Sequence, residues 1–359
     1  MRRASLAGFA TLGVAALLAG CASAPSDTAS TSSGDAASDF IPCMVSDSGG
    51  FDDKSFNQAG FEGLTDAADA LGVEPVTVES AADTDFAPNI DNLISQDCNL
   101  IISVGFLLAD ATKAAAEANP DVEFSIIDDS SIEADNVKPI VFDTAQAAFL
   151  AGYAAASYSK SGTVGTFGGI QIPSVTIFMD GFVDGVAYYN EQKGTSVKAI
   201  GWDVAGQTGS FTGGFAAGVE AKSAAQSLID QNADVILPVG GPIFQSAIEA
   251  IRDSGKEIAM VGVDADLYET YPEGAEYFLT SILKGIEAGT TDVTSTAGAD
   301  AFDATPYVGT LENDGVGIAP FHDFESKVSA DLQGELDTIK EGIIDGSITV
   351  ESPSAPAAS

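Results

Sequence analysis

The sequence predicts an α/β protein built as two doubly wound, parallel-sheet lobes with a ligand cleft between them. Three observations carry this. From Phe40 onward, short Val/Ile-rich runs alternate with segments of helical periodicity, and such alternation builds βαβ units whose parallel sheets are covered on both faces. Nine strand-like runs can be counted, which one wide sheet or two smaller ones would hold. The direct passage from "KPIVFD" into the long helical "TAQAAFLAGYAAASYSK" marks a break near Phe142–Thr144 and favours two. The runs end in Gly or Asp, at Asp47, Gly105, Asp128, Gly169, Asp203, Gly240 and Asp264. Ligands of such sheets bind beyond the carboxyl ends of the strands, although turns also select these residues.

The chain opens with basic "MRR" and an apolar, small-residue run that stops at "LLAGC". The run is shorter than the ~20 residues of a membrane span, so 1–20 reads as a secretory signal. Small residues directly before Cys21 resemble a bacterial lipobox, which makes Cys21 the lipidated N-terminus of the mature protein. Residues 21–39, rich in Ser, Ala and Asp, read as a flexible tether. Localisation is then the outer face of the bacterial cytoplasmic membrane, by lipid anchor.

The strands begin with "FIPCMVSD", "EPVTVES", "NLIISVGF", "EFSIIDD" and "KPIVFD", followed by "TVGTFGG", "VKAIGWDV", "ADVILPVGG" and "IAMVGVDAD". After Phe56, apolar or small residues at Gly60, Gly63, Leu64, Ala67 and Leu71 form one helical face. The expected division is lobe 1 over 40–143, lobe 2 over 144–263, a return to lobe 1 over 264–310, and completion of lobe 2 over 311–350. A tail at 351–359 reads as disordered. If the first sheet has the common order 2-1-3, the strands holding Cys43 and Cys98 are neighbours and both cysteines lie near their start. Export permits a disulfide there, the alternative being two free buried thiols.

Several chemistries are excluded. Fourteen Lys and Arg against 53 Asp and Glu give a net charge of −39, which argues against nucleic acid as a partner. The single histidine, His322, is far from any nucleophile elbow, and no zinc ligand set can be assembled. There is no G-x-x-x-x-G-K-[ST] loop, and no G-x-G-x-x-G follows the first strand. The stretch "DSGGFDDKSF" has three carboxylates within seven residues but not the spacing of a calcium loop. Asp52 and Asp53 fit better as acids at a helix start. No metal, cofactor or catalytic residue is expected.

"DSGGFDDKSFNQAGFEG" resembles the first signature of the basic membrane protein (BMP) family of substrate-binding lipoproteins, which includes purine nucleoside receptors of ABC importers. "ISVGFLLADATKAAAEANPDVEFSIIDD", "FLAGYAAASYSKSGTVGTFGG" with "FMDGFVDGV", "GVDAD" and "TSILKGIEAG" follow in the family's order, from about Phe40 to Asp345. The resemblance implies a periplasmic-binding-protein type I fold. It also implies a ligand set. Asp47 matches the acid before the paired glycines, and Ser55, Phe56 and Asn57 match Ser-Phe-Asn. Asp128 matches the base-contacting acid, with Asp129 as the alternative. Phe211 matches the second aromatic wall, and Gly240 (or Gly241), Asp264 and Lys284 match the ribose contacts.

The chemistry of these residues suits those roles. Two phenylalanines on opposite lobes can stack a flat purine at on the order of 1–3 kcal/mol per contact. Asp128 can accept ring N–H groups, Asp264 ribose hydroxyls, and Lys284 can donate to a ribose oxygen. The bland readings are a core Phe56, a solvated Lys284, and an Asp47 that only braces the Gly49–Gly50 turn. The expected function is nucleoside capture and delivery to an ABC permease by a monomer. The alternatives are a sugar or other small polar solute in the same fold, a receptor without transport, and a nucleoside hydrolase, which lacks a placed histidine.

Overall fold

The computed structural model describes residues 39–356. The signal segment, Cys21, nearly all of the tether and residues 357–359 lie outside that range.

Six strands form the first sheet. They are β1 (Pro42–Ser48), β2 (Val76–Ser80), β3 (Leu100–Val104), β4 (Glu123–Ile127), β5 (Val137–Phe142) and, much later, β13 (Tyr307–Gly309). The second sheet holds β6 (Thr163–Gly168), β7 (Lys198–Ile200), β10 (Val235–Val239), β11 (Ala259–Asp264), β12 (Phe278–Lys284) and β14 (Val316–Ile318). A small hairpin, β8 (Trp202–Asp203) with β9 (Thr208–Gly209), stands apart. The orders are β2-β1-β3-β4-β5-β13 and β7-β6-β10-β11-β12-β14. Every pairing is parallel except β12 with β14 and the hairpin. The two sheets repeat one doubly wound plan, as the strand-helix alternation predicts.

Helices α1 (Phe56–Leu71), α2 (Phe86–Ile94) and α3 (Ala109–Ala118) serve the first lobe. The second carries α4 (Thr144–Tyr158), α5 (Pro173–Lys193), α6 (Val219–Asp230), α7 (Ile243–Ser254) and the short α8 (Leu267–Thr270). Helix α9 (Ile286–Gly298) packs on α1, and α10 (Leu332–Ile344) packs on α4. Helix α4 is buried almost all round and lies so close to α5 that a Cβ at Gly181 would stand 2.3 Å from the Ala145 carbonyl oxygen. No helix among the described residues is long and apolar enough to cross a membrane.

The chain passes between lobes three times. The first passage is at Asp143, between β5 and α4. The second falls at Gly285, not at Asp264, because β12 pairs with β11 and keeps 278–284 in the second lobe. Thr280 and Ser281 interrupt the apolar pattern of β12. Their hydroxyls are used locally, Thr280 donating to the Ala319 carbonyl and Ser281 accepting from the Leu267 N–H. Only α9 and β13 return to the first lobe. The third passage, 310–315, leads to β14 in the second sheet and to α10 on α4.

Two further expectations meet the structure. Cys43 and Cys98 form a disulfide, with Cα atoms 6.0 Å apart, because β1 and β3 are neighbours. The tail is not disordered over 351–356. Ser352 donates to Asp180 and Ser354 bonds Thr176, both on α5, which gives this Pro/Ala/Ser segment fixed partners.

Candidate functional site

The carboxyl ends of both sheets face one cavity of about 540 Å³, counting its mouth. From the first lobe, Asp47 is the next-to-last residue of β1, Phe56 and Asn57 begin α1, Gly105 follows β3 and Asp128 follows β4. From the second lobe, Gly240 and Gly241 follow β10, Asp264 ends β11 and Lys284 ends β12. Of the strand-end residues singled out in the sequence, Gly169 and Asp203 do not line this space.

The loop before α1 is built by its own acids. Gly50 takes a left-handed φ of +68°, and a Cβ there would meet the Glu79 carboxylate at 2.8 Å. Glu79 in turn accepts the Phe51 N–H at 2.8 Å. Asp53 accepts the N–H groups of Ser55, Asn57 and Gln58 at 2.9–3.0 Å. It thereby satisfies the free donors of the helix start, which is the role the sequence assigns it. Burial pushes the Asp53 carboxyl up, and these three bonds hold it back. Ser55 does not line the cavity. Its hydroxyl is fully buried, 3.1 Å from both the Val263 carbonyl and Asp264 Oδ2, so it ties the first lobe to the second.

Among the described residues, Lys284 is the only cation lining the cavity. Its Nζ donates to Asp128 Oδ2 at 2.5 Å and lies 3.7 Å from Asp264 Oδ1. The rings of Phe56, Phe142 and Phe178 stand 4.9, 5.1 and 5.5 Å from the same nitrogen. An ammonium so enclosed is held by carboxylates and ring faces rather than by water. Asp128 and Asp264 both adopt left-handed backbone, with φ of +69° and +68°. A non-glycine residue is rarely found there, and such strain concentrates at binding sites. At Asp264 the chain makes a three-residue turn closed by the Ala265 N–H on the Val263 carbonyl at 2.8 Å.

Asp128 and Asp264 thus flank Lys284, and Asp47 and Asp53 line the same cavity. Burial raises the Asp128 carboxyl, against the pull of Lys284. Burial likewise raises Asp264 to about 6, again opposed by Lys284. Asp47 reaches about 7, with burial as the main cause and the Asn57 hydrogen bond as the chief restraint. Asn57 Nδ2 donates to Asp47 Oδ1 at 2.9 Å, while Asn57 Oδ1 is buried without a partner among the described residues. A negatively charged ligand meets repulsion here. A neutral ligand with several N–H and O–H donors meets well-placed acceptors.

The far aromatic wall differs from expectation. Phe211 is absent from the lining. Its backbone bridges to Gly168, at the end of β6, and its ring packs edge-on to Trp202 at 5.8 Å, which draws the side chain away from the cleft. Four residues on, Phe215 takes that place. Its ring lies over the bare backbones of Gly169 and Gly240, where a Cβ would come within 2.4 and 2.6 Å. Phe178, on α5, also lines the cavity. Nothing in the sequence separates Phe178 from a core phenylalanine, and only the proximity of "GGF" to Phe211 points to Phe215. Asp129, the alternative to Asp128, turns aside to accept the Ser131 N–H and hydroxyl.

The comparisons with known proteins agree with this architecture. A family model for ABC transporter substrate-binding proteins of PnrA-like type, Bmp, matches residues 40–352. The ABC transporter nucleoside-binding protein BmpA of Lactococcus lactis is 28% identical over 355 residues, covering 94% of this chain and 95% of its own. Basic membrane protein A of Borreliella burgdorferi is 30% identical over 312 residues, 85% of this chain and 86% of its own. An ABC transporter solute-binding protein from Aeropyrum pernix superposes with a TM-score of 0.78 at 23% identity, over 88% of this chain and 94% of that one. The fold is the type I periplasmic-binding-protein arrangement. The chain belongs to the Bmp family of PnrA-like ABC transporter substrate-binding proteins, which hold a small molecule for a membrane permease.

Proposed function

We propose that this protein is a lipoprotein, anchored through Cys21 outside the cytoplasmic membrane, that binds a purine nucleoside as a monomer and delivers it to its permease without chemical change. The observation that carries the reading is the lining of the interlobe cavity. Phe56 and Phe215 come from opposite lobes, and Asp47, Asp128 and Asp264 supply acceptors around a single lysine. Ring faces suit a flat base. The carboxylates suit the N–H groups of a purine and the hydroxyls of a ribose, while the unpartnered Asn57 Oδ1 accepts one more donor. The same excess of acids disfavours nucleotides. The nucleoside-binding relative from Lactococcus lactis supports this choice over a sugar.

Calorimetry of the ligand-stripped protein tests it. Inosine or adenosine should bind, and glucose and free phosphate should not. Asp128→Asn should weaken nucleoside binding about tenfold, the worth of a charged hydrogen bond. Saturable sugar binding with no nucleoside binding would overturn the reading.

A further inference from the structure

A second cavity of about 820 Å³, counting its mouth, adjoins the first. The two spaces share four lining residues, Phe106 and Asp128 from the first lobe and Ser174 and Lys284 from the second. These four stand between the two spaces, and Lys284 is bonded to Asp128 there. On the far side, the first lobe contributes Asp129, Ser130 and Ser131, and the facing wall is the C-terminal segment Pro353–Pro356.

That segment is docked, not draped. Ser352 Oγ donates to Asp180 Oδ2 at 2.6 Å, and the hydroxyls of Ser354 and Thr176 lie 2.7 Å apart. Asp180 is fully buried and takes two further bonds on Oδ1, from Trp202 Nε1 at 2.8 Å and Gln207 Nε2 at 2.9 Å. The segment also folds on itself, the Ala355 N–H donating to the Ser352 carbonyl at 3.1 Å. Prolines at 353 and 356 limit its freedom. The family model ends at residue 352, so most of this wall lies outside the family's shared stretch.

We propose that residues 353–356 are an outer wall on the path by which ligand leaves past Phe106, Asp128, Ser174 and Lys284, and slow its escape. The proposal rests on the reading that a nucleoside occupies the inner cavity. A wall fixed to α5 and facing the 129–131 loop narrows the outlet only while the lobes are together, so it lengthens residence without touching the ligand.

Stopped-flow release of fluorescent 2-aminopurine riboside, chased with excess inosine, reads this directly on the full chain. Replacing Pro353, Ser354, Ala355 and Pro356 together by glycine keeps Ser352 on Asp180 but frees the wall. The loss of the Ser354 hydrogen bond and of proline restraint should raise the release rate about tenfold. Ser130→Trp, at an exposed position on the opposite wall, should instead slow release severalfold. It keeps the test valid if the glycine variant does not fold. Release within twofold of the parent chain in the folded variants would overturn the proposal while leaving the nucleoside reading intact. Failure of the parent chain to bind the riboside or inosine would overturn that reading and the proposal with it.

Discussion

Burial lifts the Asp47 carboxyl to about 7 from 3.8. Its native form holds a proton that the unfolded chain has already released above pH 4, so it costs stability as pH rises from about 4 to 7. Asp264, at about 6, acts with the same sign over a shorter span. Asp47→Asn should therefore gain stability relative to the parent chain as pH rises through that window. Thermal melts of ligand-free protein from pH 4 to 8 check this, and parallel curves would sink the assignment. Phe215 and Phe211 give a second contrast. Phe215→Ala should weaken inosine binding about tenfold or more, whereas Phe211→Ala should chiefly alter Trp202 fluorescence and lower stability. Equal affinity losses in calorimetry would return Phe211 to the wall. Part of the lining was legible in the sequence: Asp47, Phe56, Asn57, Asp128, Asp264 and Lys284 follow strand ends or stand in the blocks that mark the family. The exchange of Phe211 for Phe215 and the lobe-joining role of Ser55 were not, because they depend on the bridge that Phe211 makes to Gly168 and on a contact more than 200 residues apart in sequence.

Strand β12 shows where periodicity stops informing. It is a buried strand interrupted by two hydroxyl residues whose partners lie outside the strand, and no local pattern announces them. The tiny strands β13 and β14, three residues each, are likewise defined by their neighbours. By contrast, seven of the nine runs rich in Val and Ile became strands buried almost throughout, as parallel strands covered on both faces need unbroken apolar sequence, and the other two became the edge strands β2 and β7. The three passages between lobes meet at a backbone junction. The Asp143 N–H donates to Gly309 and the Gly285 N–H to Gly315, each at 2.8 Å. A Cβ at Gly315 would stand 2.4 Å from the Gly309 Cα. Gly315→Ala should accordingly cost about 1–3 kcal/mol through overpacking. Gly317→Ala, with nothing within 4 Å of its Cβ, should cost under about 0.5 kcal/mol. Urea midpoints compare them, and equal values would mean that the junction tolerates a side chain. The disulfide closes a 55-residue separation, worth about 4 kcal/mol by chain entropy. Cys43→Ala with Cys98→Ala should lower the denaturation free energy by an amount of that order.

A net charge of −39 on 359 residues sets the behaviour of the molecule in salt. Like charges repel across the folded surface, and the screening length shrinks from about 10 Å at 0.1 M to 3 Å at 1 M. The melting temperature should climb by several degrees over that range of NaCl, and a flat profile would show that the acids are spaced beyond mutual reach. The threading of the chain has another consequence. The first sheet lacks its edge strand until residue 309 has been made, and the second lacks its own until residue 318. A gene split after Phe142 would yield one product without β13 and α9 and another carrying both with nothing to dock on. Neither half is a self-sufficient folding unit, although each has its own sheet. For an exported chain, withholding the final strand of both sheets until synthesis is nearly over favours the loosely folded state that a translocation channel accepts.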